Sequence, residues 1–155
     1  MQAVLRAVGP GTDHPRTVAA APAATSLPWR EPADRWTWRT PAGRALSGAT
    51  AVAALGAGFA LGGALSGAFW GSLIAPDLAF LRPSKLPPVP PGILPPDNVG
   101  LYNGLHDPRV AAALLATGAL TASRTLLLAG LGWTAHIAAD RAFGYGLRRP
   151  DGAIH

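Results

Sequence analysis

The sequence predicts an all-α integral membrane protein with four transmembrane helices and both termini in the cytoplasm. Hydrophobic residues make up 49% of the 155 residues, and charged residues only 14%, whereas about 25% is usual for soluble domains. Long apolar runs are separated by paired glycines and by prolines. Twelve arginines and one lysine lie mostly beside the ends of these runs, as basic residues do at the cytoplasmic ends of membrane helices.

The composition also excludes several kinds of function. The chain has no cysteine, which rules out disulfides, thiolate nucleophiles and cysteine ligands, so a metal would need histidine and carboxylate ligands. The net charge of +5 comes mostly from residues that flank apolar runs, which is typical of topology signals and argues against a nucleic-acid partner. The expected partner is the lipid bilayer, and the expected location is the cell membrane, crossed several times.

Residues 1–43 are expected to form a disordered tail rich in proline, alanine and arginine, because they lack apolar periodicity and cannot bury enough surface to fold. Prolines and charges interrupt every apolar stretch near the start, so no cleaved signal peptide is expected. Trp29, Trp36 and Trp38 alternate with arginines. This set would suit the headgroup layer of a membrane or a solvated tail equally well.

The membrane domain is predicted at residues 44–149. Residues 45–76 contain no ionisable side chain and are too long for one crossing of a ~30 Å hydrocarbon core. A hairpin broken at Gly62-Gly63 is therefore expected, with glycines at a spacing of four that let the helices approach closely. The predicted helices lie at about 45–61, 64–81, 99–120 and 123–143.

Prolines predict a loop after the second helix and an interruption within the third. Residues 82–98 contain seven prolines and are expected to be a stiff, exposed connector. Lys85, Pro88 and Pro91 match the pattern of segments that dock into aromatic grooves, so a protein partner at this loop is one hypothesis. Asp107-Pro108-Arg109 interrupts the third helix, whose apolar part could begin only at Val110, and residues 150–155 are expected to form a short tail.

Basic residues fix the expected orientation and the depth of the polar side chains. They precede the first helix and follow the second and fourth, whereas only Arg124 lies on the opposite side, so both termini are expected in the cytoplasm. Counting from the cytoplasmic helix ends at ~1.5 Å per residue places Asp140 ~4 Å deep, Asp77 ~7 Å deep, and His106 and His136 ~10 Å deep. These four residues therefore predict one shared polar layer, since ionisable groups at membrane depth face protein or water.

The spacing of polar residues refines this prediction. His136 and Asp140 are four residues apart and share a helix face with Trp133, while Asn103 and His106 are three apart and also share a face. Tyr145 is expected to be an anchor at headgroup level. Further structural polar residues are predicted at Asn103, Arg141 and Arg148.

Three hypotheses account for the four-residue layer. In the first and favoured hypothesis the role is structural: Asp140 pairs with Arg148 or Arg109, His106 bonds to Asn103, and these residues fasten the helices together. In the second, Asp77, His106, His136 and Asp140 hold a divalent metal such as zinc, or act as acid and base, in a membrane hydrolase. In the third, they form a proton or cation relay, because histidine changes charge near neutral pH, and a homo-oligomer would then be needed to widen the pore.

Several short motifs together resemble domain-of-unknown-function family 4260, a family of small bacterial four-helix membrane proteins. The resemblance covers residues 45–149 and is most specific in the last motif. It implies four spans and polar positions at Asp77, Asn103, His106, His136, Asp140 and Arg141, and it implies no particular activity, so whether the chain is an enzyme is left open. The motifs are Ala75-Pro76-Asp77, Tyr102-Asn103 with His106, Trp133-x-Ala135-His136 with Asp140-Arg141, and Gly144-Tyr145-Gly146-Leu147-Arg148.

Overall fold

A computed structural model describes residues 37–154 of the chain. Within this range the fold consists of helices, and the only extended pairing is an isolated bridge between Arg148 and Ile154. The predicted all-α class is therefore confirmed for the described part. Residues 1–36 and His155 lie outside the described residues, and so does most of the predicted tail with Trp29 and Trp36.

Five α-helices and two short 3-10 helices make up the fold of residues 37–154. Helix α5 is the central element, because it packs against α1, α2 and α4. The 3-10 helices span Gly63–Leu65 and Ala75–Leu81. The α-helices are α1 (Pro41–Ala60), α2 (Gly67–Ile74), α3 (Pro96–Leu105), α4 (Pro108–Leu120) and α5 (Arg124–Phe143).

The first helix begins earlier than the sequence pattern indicated. It starts at Pro41, within the predicted tail, where the Thr40 hydroxyl oxygen accepts a hydrogen bond from the Gly43 amide at 3.0 Å. A threonine cap followed by proline is a favourable helix start, because proline at the first position lacks only an amide hydrogen that would be unpaired there.

The second predicted helix, 64–81, differs from a continuous α-helix. Gly62 follows the last residues of α1 and has a φ of 76°, a left-handed conformation that glycine adopts easily, so it begins the turn. Ser66 is extended, and its hydroxyl oxygen accepts a hydrogen bond from the Phe69 amide to start α2. After Ile74 the chain tightens into the 3-10 helix Ala75–Leu81, which has Pro76 in its first turn.

The third predicted helix, 99–120, is divided into α3 and α4. Asp107 has an extended backbone, with φ −73° and ψ 121°, because the proline that follows it disfavours the helical conformation. The Asp107 carboxylate accepts a hydrogen bond from the Arg109 amide at 2.9 Å and so caps α4. Helix α4 therefore begins two residues before Val110, and α3 is a separate helix.

The proline-rich loop is fastened to the start of α3. The Lys85 amide and the Ser84 hydroxyl each donate a 2.9 Å hydrogen bond to the Asp97 carboxylate. These donors, the Lys85 amide first, hold the pKa of Asp97 below its usual range. The Asn98 side-chain amide donates to the Arg82 carbonyl at 2.9 Å, so the loop is tied to α3 at consecutive residues.

Glycines let the helices pack closely around α5. A methyl group added at Gly130 or Gly132 would collide with Leu115 of α4 or with the backbone of α2. Gly58 similarly accommodates the ring of Phe69. None of the helices in the range 37–154 combines the length and the apolar character needed to cross a membrane.

Two arginines define the ends of the helix group. Arg124 donates to the Leu61 carbonyl at 2.7 Å, which joins the two turns at one end. Arg44 donates to the Ala142 carbonyl at 2.9 Å, which joins the start of α1 to the last turn of α5 at the other end.

Replacing Gly132 by alanine tests the glycine contact between α5 and α2. We expect Gly132→Ala to lower the free energy of unfolding by about 1–3 kcal/mol, since the added methyl meets backbone atoms of α2 and overpacking has costs of that size. The matched control is Gly71→Ala, because that helical position is open and alanine favours helix by up to about 1 kcal/mol. Thermal unfolding of the purified variants provides the measurement, and equal stability of the two would contradict the packing argument.

Candidate metal centre

Two histidines and two aspartates converge at one site. The Nε2 atoms of His106 and His136 lie 3.3 Å apart. An Asp140 carboxylate oxygen lies 3.3 Å from His106 Nε2 and 3.6 Å from His136 Nε2. An Asp77 oxygen lies 3.9 Å and 3.7 Å from the same two nitrogens. All four residues predicted for the shared layer are thus brought together.

Three parts of the fold supply these side chains. Helix α5 contributes His136 and Asp140 one turn apart, His106 stands directly after α3, and Asp77 belongs to the 3-10 helix Ala75–Leu81. The solvent exposure of the side chains increases from His106 to Asp77. The His106 side chain is 3% exposed, whereas that of Asp77 is 51% exposed. The cluster is therefore anchored in the interior and open at Asp77.

The Nδ1 atoms of both histidines are bonded to backbone carbonyls. His106 Nδ1 lies 2.9 Å from the Tyr102 oxygen, and His136 Nδ1 lies 2.8 Å from the Leu73 oxygen. Because a carbonyl oxygen can only accept, each Nδ1 carries the hydrogen, and the assignment follows from this hydrogen-bond pattern. In the neutral ring each Nε2 then presents a lone pair toward the other and toward the two carboxylates.

Aromatic residues hold His106 in place. The Tyr102 ring is stacked on the His106 imidazole with centroids 3.8 Å apart. The Trp133 indole nitrogen donates to the Leu105 carbonyl at 2.8 Å, which joins α5 to the last residue of α3. The sequence analysis predicted no role in the site for Tyr102 or Leu73. The role of Tyr102 could have been predicted, because residues four apart in a helix, such as Tyr102 and His106, are neighbours on its surface.

The other predicted polar residues lie elsewhere. Asn103 does not bond to His106, since its side chain pairs with the backbone of Arg148, donating at 2.9 Å and accepting at 2.8 Å. Asp140 lies against the two histidines instead of an arginine, and Arg109 lies 3.8 Å from Asp107. The pairings expected in the structural hypothesis are therefore replaced by others.

Two predicted residues lie outside the cluster altogether. Arg141 lines a cavity of about 710 Å³ bordered by α1, α4 and α5, and none of the four cluster residues lines it. Tyr145 is 50% exposed. The convergent polar chemistry therefore lies on a different face of α5 from this cavity.

Comparison with known proteins supports the resemblance over the C-terminal part. Residues 93–155 match the model of the family described as Domain of unknown function (DUF4260), which confirms the predicted family resemblance for that segment. The matched segment includes His106, His136 and Asp140, while Asp77 precedes it. No curated protein and no solved structure matches the chain.

The Asn103 bonds to Arg148 predict a test of how the last residues are held. We expect Asn103→Ala to lower the free energy of unfolding by about 1–3 kcal/mol, because it leaves two backbone groups without partners. Amide hydrogen exchange should become faster over residues 148–153. Gly104→Ala on the same helix has open space around its added methyl and serves as the control. Unchanged exchange in Asn103→Ala would show that these bonds do not hold the segment.

Proposed function

We propose that this chain is an integral membrane metalloprotein in which the four-residue cluster holds a divalent ion such as zinc and activates water for hydrolysis. The observation that carries the proposal is the pair of Nε2 atoms, which lie 3.3 Å apart with both Nδ1 atoms bonded to carbonyls. Two imidazoles held in this way direct their free nitrogens at one point in space, as the ligands of a metal ion do.

The spacing of the donor atoms suits a tetrahedral metal ion. Zinc binds histidine nitrogen and carboxylate oxygen at about 2.0–2.2 Å, so neighbouring ligand atoms in a tetrahedral site lie roughly 3.3–3.6 Å apart. The two Nε2 atoms lie 3.3 Å apart, and the Asp77 oxygen lies 3.9 Å from that of His106 and 3.7 Å from that of His136. The three donor atoms all lie within 4.8 Å of one another, which is close to the tetrahedral spacing.

The hydrogen bonds around the histidines favour a cation over a plain helix-fastening cluster. Metal-bound histidines typically donate their second ring hydrogen to a carbonyl or carboxylate, which fixes the ring and directs its lone pair toward the ion. His106 and His136 have this arrangement. Without a cation or an added proton, two lone pairs and two carboxylates would face one another, which is electrostatically unfavourable.

The open side at Asp77 favours hydrolysis over a closed structural site. Catalytic zinc sites commonly have three protein ligands and a water at the fourth position. In the proposed site His106, His136 and Asp77 would hold the ion, and Asp140, within 3.6 Å of both histidines, would serve as the base for the water that the ion activates. The ion would polarise the water and lower its pKa toward neutrality.

The surface supports the membrane part of the proposal. Leu65 is 99% exposed and Leu120 is 88% exposed, and many other large apolar side chains are more than a third exposed. Several of the contacts between helices are instead made at glycine and alanine, as in membrane helices that approach through small residues. In the proposed topology the spans are α1, the segment 63–81, α4 and α5, with α3 at the cytoplasmic boundary and both termini in the cytoplasm.

Metal analysis tests the proposed site. We expect protein purified after zinc exposure to hold about one zinc per chain by elemental analysis, since three protein ligands and a water make one tetrahedral site. His106→Ala and His136→Ala should lose the metal, and Asp77→Asn should weaken it at least tenfold, whereas Asp151→Asn, an exposed carboxylate outside the cluster, should bind normally. Cobalt substitution should give the intense visible absorption of a tetrahedral site.

Three controls distinguish zinc binding, catalysis of hydrolysis and a purely helix-fastening role of the cluster. Helical circular dichroism of each variant shows whether it is folded. Folded His136→Ala that retains full zinc would overturn the metal site, and wild-type protein that is folded and never binds zinc would return the cluster to a helix-fastening role. Zinc-dependent cleavage of chromogenic carboxylic and phosphate esters, lost in Asp140→Asn, is expected for a hydrolase, and metal binding without any cleavage would refute only that part.

The absence of cysteine permits a clean topology test. We expect single cysteines introduced as Lys85→Cys or Asp151→Cys to react with an impermeant maleimide only after the membrane is opened, because both positions are proposed to be cytoplasmic. Thr121→Cys, at the opposite turn, should react in intact cells. All three positions are exposed. Equal labelling of all three, or release of the protein by alkaline carbonate, would contradict four spans.

A further inference from the structure

A buried arginine lies beside the cluster without an acidic partner. Arg148 is only 9% exposed, and no carboxylate within residues 37–154 lies in salt-bridge distance of it. Its guanidinium carbon lies 5.4 Å from the centre of the Tyr102 ring. A buried guanidinium normally has a carboxylate, a phosphate or another anion beside it, because removing an isolated charge from water is costly.

The bonds that Arg148 makes do not neutralise its charge. Nη1 donates to the Gly92 carbonyl at 2.8 Å and to the Gly152 carbonyl at 3.4 Å. Within the described residues Nε is buried with no hydrogen-bond partner, and so is the side-chain oxygen of Asn98, which lines the same cavity. Two carbonyls and the face of an aromatic ring orient the guanidinium, but they leave a positive charge with spare donors.

Arg148 and Asn98 line a cavity of about 240 Å³ between the proline-rich loop and α3. Arg82 brings a second positive charge to the wall, and Phe80 brings an apolar ring. Ser84 also lines the cavity, but its hydroxyl hydrogen is directed to the Asp97 carboxylate. The two unpaired buried atoms mark the wall as incomplete, since buried polar groups are nearly always bonded.

We infer that this cavity is a binding site for a phosphate-type oxyanion, held by Arg148 with Arg82 as a second positive charge. Guanidinium groups bind phosphate through paired charge-assisted hydrogen bonds. The site is distinct from the metal cluster, and Tyr102 contacts a member of each.

The same chemistry is found in inorganic phosphate and in the headgroup of an anionic phospholipid, and the experiment distinguishes them. Full-length protein in an uncharged detergent, treated with a chelator so that no metal can bind phosphate, is titrated calorimetrically with inorganic phosphate and with glycerol phosphate. In parallel, it is mixed with phosphatidylcholine vesicles with and without phosphatidic acid, and retention on the vesicles is measured.

We expect saturable binding that falls at least tenfold in Arg148→Lys, which retains the charge but lacks the planar fork, and several-fold in Arg82→Gln. The tenfold change corresponds to the loss of one charge-assisted hydrogen bond. The control Arg149→Met removes a neighbouring exposed cation that pairs with Asp151 at 3.3 Å and should bind normally. His136→Ala should also bind normally, which separates this site from the proposed metal centre.

The pattern of binding across these probes and variants identifies the ligand. Binding of the soluble phosphates that depends on Arg148 identifies a free oxyanion as ligand, whereas binding confined to phosphatidic acid vesicles identifies a lipid headgroup. Arg82→Gln retains the buried arginine, so it still tests the cavity if Arg148→Lys fails to fold. Absence of binding to every probe, or binding that is equal in Arg148→Lys, Arg82→Gln and the wild type, would overturn the inference.

Discussion

The close approach of α5 to α2 at Gly132 is the contact on which the rest of the site depends. Any side chain there would collide with backbone atoms at Phe69 and with the Ser72 hydroxyl. One turn further along α5, the same approach brings His136 Nδ1 to 2.8 Å from the Leu73 carbonyl. That bond sets which nitrogen faces inward, so the packing of two helices determines the chemistry that the imidazole can perform.

Tyr102 joins the two polar regions of the molecule. Its carbonyl accepts from His106 Nδ1, its ring is stacked on the same imidazole, and Arg148 lies over the ring. The Tyr102 side chain is almost fully buried. The histidine and the buried arginine therefore share one aromatic neighbour, although Arg148 is also held by the Gly92 and Gly152 carbonyls.

The helical class and the shared face of His136 and Asp140 were predicted from local periodicity, whereas the convergence with Asp77 and His106 was predicted from helix depth, although the structure divides both of the helices used for that count. His136 and Asp140 at a spacing of four must share a face of α5, and counting residues from the helix ends brought Asp77 and His106 to the same layer. The partners of Arg148 could not be predicted in this way. One partner is the carbonyl of Gly152, which lies in a turn and has a φ of 86°, and the other is the carbonyl of Gly92, which is 56 residues away in the chain. No periodic pattern encodes such contacts.

The break between α3 and α4 shows why the departure from a continuous third helix matters for the site. In an uninterrupted helix the Arg109 amide would donate to the Leu105 carbonyl. Here Pro108 and the extended Asp107 redirect the Arg109 amide to the Asp107 carboxylate at 2.9 Å. The Leu105 carbonyl is thereby released and accepts from the Trp133 indole at 2.8 Å. Since Leu105 precedes His106 and Trp133 lies one turn before His136, this bond fastens together the two helices whose imidazoles meet. The Asp-Pro pair, which interrupts the apolar pattern, thus provides the acceptor that aligns α3 with α5.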